Sequence, residues 1–107
     1  MSKEREEFLY LTTIGWKSGR PHEIEIWFVE HEGKFYLVSE HEQSSHWVRN
    51  IKRQPLISFR VGQSKYEGKG REVDRKEESD LAQAVSALMD KRHGWSRGLI
   101  VELTPNK

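Results

Sequence analysis

The chain has 107 residues, 18 Lys and Arg against 17 Asp and Glu, and no cysteine. That length suits one compact domain, and the lack of cysteine excludes a disulfide framework, a thiol nucleophile and a zinc–thiolate site. A formal charge of +1 excludes a field that draws the whole protein to nucleic acid or membrane, leaving only local patches. No apolar run approaches the ~20 residues of a spanning helix, and Met1 to Glu7 lacks the apolar core of a signal peptide, so a cytoplasmic protein with no membrane span is expected. Four Trp, four Phe and three Tyr argue against disorder even though 33% of residues are charged. A domain this small buries a modest share of its surface, which makes oligomerisation or a bound cofactor a reasonable source of extra stability.

In chain order, Phe8 to Ile14 and His22 to His31 alternate like half-buried strands, separated by the turn Gly15-Trp16-Lys17-Ser18-Gly19-Arg20-Pro21. In the second strand Ile24, Ile26 and Phe28 share one face and Glu23, Glu25 and Trp27 the other. Glu32-Gly33-Lys34 turns the chain into a third strand, Phe35 to Ser39. Alternation then stops: Ser44 or Ser45 can cap a short helix bearing Trp47, Val48 and Ile51, which ends before Pro55. Leu56 to Val61 and Lys65 to Val73 are strands joined at Gly62-Gln63-Ser64, and Gly68 and Gly70 suggest a bulge or strong bend. Asp74 with Glu77 resembles a reciprocal cap for a helix carrying Leu81, Ala84, Val85 and Leu88 up to Lys91-Arg92. Gly98 to Leu103 is a last strand, closed by Pro105. The order predicts a small closed or half-closed sheet with two helices across its openings.

Two constellations stand out. In the first turn, two glycines let backbone amides approach an anion, while Lys17, Arg20 and the Ser18 hydroxyl offer donors to phosphate oxygens. The same residues would also make an ordinary solvated hairpin turn, and spacing alone leaves both readings open. Between Ser39 and Asn50, a polar loop containing Glu40 and His41 enters a helix, so free amides and a helix N-terminus face one region, with Trp47 able to stack on a flat ligand or simply to bury the helix. The five histidines show no i, i+4 pair, so no metal site is expected. There is no Gly-x-Ser-x-Gly elbow for a hydrolase. Lys52, Arg53, Lys65, Lys69 and Arg71 lie near aromatics, but Glu67 and Glu72 interleave with them, so a solvated strand face is preferred to nucleic-acid binding.

Leu11 to Pro21 with its Gly-x-Lys-Ser-Gly turn, then Phe35 to Ser39, His46-Trp47-Val48-Arg49-Asn50-Ile51 and Pro55 to Gly62 together resemble the deazaflavin-dependent nitroreductase and quinone reductase family. That family lies within the split barrels related to pyridoxamine 5'-phosphate oxidase. The resemblance implies a mainly β fold with two helices, a six-stranded antiparallel split β-barrel of the FMN-binding type, paired as a homodimer with a cofactor cleft at its interface. It implies that Lys17 and Ser18 grip the cofactor phosphate, that the chain after Ser39, including Glu40 and His41, faces the ring, and that Trp47 lies near ring and substrate. Family members usually carry a basic residue at Trp16 and an arginine at His22, so Arg20 or His22 then supplies the missing charge. The segment that helps hold a polyglutamyl tail in some relatives is nearly absent, and Glu4, Glu6 and Glu7 would repel such a tail, which raises the standing of FMN beside deazaflavin coenzyme F-420. The implied reaction is hydride transfer from the reduced cofactor to a quinone, nitroaromatic or other conjugated small-molecule acceptor. Water, Ser39, His41 or Tyr66 are the proton sources considered, and no catalytic residue is assigned. The alternative is a non-catalytic flavin-binding module of the same fold.

Overall fold

A computed structural model describes residues 7–40 and 45–106. Its strands are β1 (Phe8–Ile14), β2 (Pro21–Trp27), β3 (Val29–His31), β4 (Lys34–Ser39), β5 (Leu56–Val61), β6 (Ser64–Val73) and β7 (Leu99–Pro105), with helices α1 (His46–Arg53) and α2 (Ser79–His93). The strands form one antiparallel sheet in the order β2-β1-β5-β6-β7-β4-β3. The fold is therefore mainly β with two helices, a curled half-barrel of seven strands rather than the six expected.

The extra strand comes from Phe28. The anticipated strand from His22 to His31 leaves extended pairing there, so its first part pairs with β1 from Ile14↔Pro21 to Phe8↔Trp27 and its last part with β4 from Val29↔Tyr36 to His31↔Lys34. One segment thus supplies both edges of the sheet, which curls the sheet back on itself. The Phe28 amide donates to the Glu7 carbonyl at 3.3 Å, and its ring is buried 5.8 Å from that of Phe35.

Alternation places Leu9, Leu11, Phe35, Leu37, Phe59 and Leu103 inside the curl, where α1 adds Val48 and Ile51. Outside, α2 packs Ala82, Val85 and Met89 over Val38, Val73 and Ile100. Gly68 and Gly70 make no bulge, because β6 pairs in continuous register with β5 and β7. They allow close approach instead: a β-carbon on Gly68 would overlap the Thr104 carbonyl, and one on Gly70 would press on the Ile51 side chain. At the start of the α2 region, Asp74 Oδ1 accepts from the amides of Lys76 and Glu77, but the carboxylate that reaches back to the Asp74 amide belongs to Glu78 rather than Glu77. Gly94, at φ 71°, ends α2 in the left-handed conformation. No helix among the described residues is long and apolar enough to cross a membrane.

One buried carboxylate joins three strands. Glu102 on β7 accepts from the Tyr36 hydroxyl on β4 at 2.8 Å and from Arg71 Nε on β6 at 2.9 Å. Burial pushes the Glu102 carboxyl up, but the hydrogen bonds from Arg71 and Tyr36 and the charges of Arg71 and Lys34 outweigh it, so the net shift is downward from 4.5. Tyr36 moves the other way, held protonated by burial and by its bond to Glu102. A lowered carboxylate value means stabilisation that is present above 4.5 and is lost as pH falls through the lower folded value. Chemical denaturation should therefore show the wild type losing stability below about pH 4.5. Glu102→Gln should be less stable at neutral pH by about 1–3 kcal/mol and flatter against acid, since Arg71 loses a charged partner.

Candidate functional site

The curl leaves a gap. Beyond Tyr36, β4 is paired only with β7, from Leu37↔Val101 to Ser39↔Leu99, and the outer edge of β2 carries no strand among the described residues. Two cavities open in and beside this gap, and Trp47 on α1 lines both.

The first, of about 480 Å³, lies between the β1–β2 turn and α1. The turn is shaped by its own backbone: the Gly15 amide donates to the Arg20 carbonyl at 2.7 Å and the Gly19 amide to the Gly15 carbonyl at 2.9 Å. Gly19 has φ 71°, a conformation that favours glycine. A β-carbon on Gly15 would stand 2.6 Å from Ser18 Oγ and 2.8 Å from His22 Nε2, so glycine is needed to bring these two side chains together. The turn is tied to α1 by Asn50, which is buried, donates from Nδ2 to Thr13 Oγ1 at 2.9 Å and accepts the Trp16 amide on Oδ1 at 2.8 Å.

Lys17, Ser18 and His22 line this cleft, and α1 adds His46 and Arg49. The exposed Trp16 ring lies under both cations, with Lys17 Nζ 4.7 Å and Arg49 Cζ 5.8 Å from its centre. Neither cation forms a salt bridge among the described residues, although Glu23 also lines the cleft. Arg20 contributes its backbone: its amide donates to Ser18 Oγ at 3.2 Å and its carbonyl closes the turn, while its side chain does not line the cleft. Unpaired cations, a hydroxyl and a glycine turn make a donor set suited to phosphate oxygens.

The second cavity, of about 560 Å³, occupies the gap between β2 and β4. Trp27, Trp47 and Trp95 line it with Ser39 and Glu40. Each wall is fixed. The Ser39 and Ser45 hydroxyls lie 2.6 Å apart, which joins the end of β4 to the residue preceding α1; Ser45 is the N-cap, yet its side chain makes this bond and no capping bond. His93 stacks on Trp27 at 4.9 Å and donates from Nε2 to the Phe28 carbonyl at 2.9 Å. Arg75 grips the segment after Trp95 through the carbonyls of Ser96 at 2.8 Å and Gly98 at 2.9 Å. His41 lies outside the described residues. Tyr66 stacks on Phe59 at 5.0 Å and lines neither cavity.

The half-barrel, with a basic cleft beside an aromatic gap, has the architecture of a split barrel. The sequence matches the F420H(2)-dependent quinone reductase family over residues 3–101, and the chain belongs to that family. Its class is therefore deazaflavin-type oxidoreductase, with coenzyme F-420 or a flavin as cofactor. No curated protein matches the chain by sequence.

Solved structures share the fold at low identity. The heme storage protein HutZ of Vibrio cholerae superposes with TM-score 0.77 at 18% identity, covering 98% of this chain and 85% of that one. A candidate pyridoxamine 5'-phosphate oxidase from Listeria innocua gives 0.76 at 14%, covering 98% and 88%. An F420-H2 dependent reductase gives 0.62 at 23%, covering 91% and 93%.

Asn50 and Arg49 were not singled out as site residues, although both stand in the motif that carried the resemblance. Their signal was positional: Asn50 is polar between Val48 and Ile51 on a helix face that otherwise reads as buried. Asn50→Ala would leave the Trp16 amide and the Thr13 hydroxyl without their partner. Urea denaturation should report a loss of about 1–3 kcal/mol, and anion binding in the cleft should weaken with it. Gly15→Ala should weaken binding by displacing Ser18 and His22, with a smaller effect on stability.

Proposed function

We propose that the chain holds the phosphate of a reduced deazaflavin or of FMN in the basic cleft, lays the ring across Trp47 into the gap, and reduces a quinone, nitroaromatic or similar conjugated acceptor there. The observation that carries this reading is the junction at Trp47: a cleft with two cations that have no carboxylate partner among the described residues meets a pocket walled by indoles. When bound, the cofactor supplies the hydride.

The residues supply the rest. Lys17 and Arg49 neutralise phosphate charge, Ser18 donates a hydrogen bond, and the Gly15 turn keeps the backbone close. Trp47 orients the ring by stacking, beside the stretch of β4 beyond Tyr36 that pairs only with β7 among the described residues. Trp27 and Trp95 exclude water from the reacting face and hold a flat acceptor against it. The Ser39 and Ser45 hydroxyls stand in that wall. Phe8 and Trp27, 38% and 37% exposed at the mouth of the gap, form an aromatic pair on the outer face of the sheet, which supports closure by a second copy of the chain as a homodimer.

Titration with deazaflavin coenzyme and, separately, with FMN should show saturable quenching of tryptophan emission for one of them at micromolar concentration. Failure of both to bind would overturn the reading. Lys17→Ala and Arg49→Ala should each weaken that cofactor by about 1–3 kcal/mol, with the loss shrinking as salt is added. Sedimentation velocity should report a dimer.

A further inference from the structure

The charged groups divide between the two cavities. Lys17, Arg49, two histidines and a single carboxylate, Glu23, line the phosphate cleft, whereas the charged side chains among the described residues of the aromatic pocket are both carboxylates, Glu25 and Glu40. Three of the four tryptophans line the same pocket. An indole presents a negative face, so indoles and carboxylates together attract positive charge and repel negative charge. Tyr10 stands opposite Glu25 across β1 and β2, and that carboxylate raises the Tyr10 hydroxyl above its usual value. Arg60 lies over the Tyr10 ring at 4.3 Å, on the outer face of the sheet, and does not line the pocket.

We propose that this pocket selects planar acceptors carrying a positive charge and rejects those carrying a carboxylate or sulfonate, with Trp27, Trp47 and Trp95 supplying the π-faces and Glu25 and Glu40 the field. The inference deepens the reductase reading and rests on it for its chemistry. An aromatic cation such as an N-alkylquinolinium would take a hydride as a C–H bond of the reduced deazaflavin breaks, forming one C–H bond on its own ring, and the transferred electron pair would cancel the ring charge. The acceptor becomes a neutral dihydro ring, the deazaflavin is oxidised and gives up one proton to solvent, and no proton is consumed. That stoichiometry suits a pocket to which no acid has been assigned.

The test needs no cofactor, so it can fail independently of the reductase reading. Calorimetric titration of the protein with N-methylquinolinium and with naphthalene-2-sulfonate should show the cation binding at least about tenfold more tightly at low salt. The Glu25→Gln/Glu40→Gln variant, its fold checked by circular dichroism, should bring the two probes close to parity, and Trp95→Ala should weaken the cation more than the sulfonate. Equal or tighter binding of the sulfonate, no detectable binding of the cation, or a preference unchanged in the double variant would each overturn the proposal. If the cation preference holds while neither deazaflavin nor FMN binds, the charge selection stands and the reductase reading falls.

Discussion

The bend at Phe28 determines where this protein can bind a ligand. A strand running unbroken from Pro21 to His31 could follow β1 or β4 along its length, giving a flat sheet or a closed one. Because the chain changes partner at a single residue, the two edges of the sheet become consecutive parts of one segment and the sheet has to curl. The same change of partner ends the β3–β4 pairing at Tyr36, so among the described residues Leu37 to Ser39 pair with one strand, β7. Backbone polar groups on such an edge need partners, and an edge that is neither covered nor blunted invites a ligand or another chain.

α1 then converts an opening into a site. An eight-residue helix has little stability of its own, so its position must come from contacts outside it. Val48 and Ile51 bury its apolar face, Asn50 fastens it to the first turn, and Ser45 fastens its start to β4. Trp47 and Asn50 are three apart and therefore neighbours on the helix surface. The residue that ties down the β1–β2 turn is thus one helical turn from the residue that lines both cavities. Displacing α1 would disturb both cavities together.

Most elements were legible because their hydrophobic period has a single physical cause. The break at Phe28 was not, since Ile24, Ile26 and Phe28 keep a period of two through the bend, and periodicity reports which face is buried but not which strand is alongside. Gly68 and Gly70 suggest a bulge or a strong bend in the sequence because these and a close backbone approach all call for glycine, and only the position of Thr104 separates them. The turn from Gly15 to Arg20 was readable in its composition, whereas the part played by Arg20 was not: a turn shows which side chains are present, not which way each points. Arg75 left no local trace at all, because its partners are carbonyls of Ser96 and Gly98, 21 and 23 residues away.

Trp16 bears on which cofactor the cleft suits. The Trp16 indole lies beneath Lys17 and Arg49, and both cations line one cleft. Each such contact is worth about 0.5–1 kcal/mol at an exposed site, enough to bias the side-chain rotamers without removing their charge. Glu23 opposes them from the same cleft. Two fixed cations set against one carboxylate leave an excess of about one positive charge, counting the histidines as neutral. That excess matches a ligand whose negative charge is concentrated in one phosphate better than one that spreads it along a chain of carboxylates. Under the proposed reading, that charge arrangement suits FMN, or the phosphate end of the deazaflavin, at Lys17 and Arg49, and gives no reason to expect these residues to grip a polyglutamyl tail.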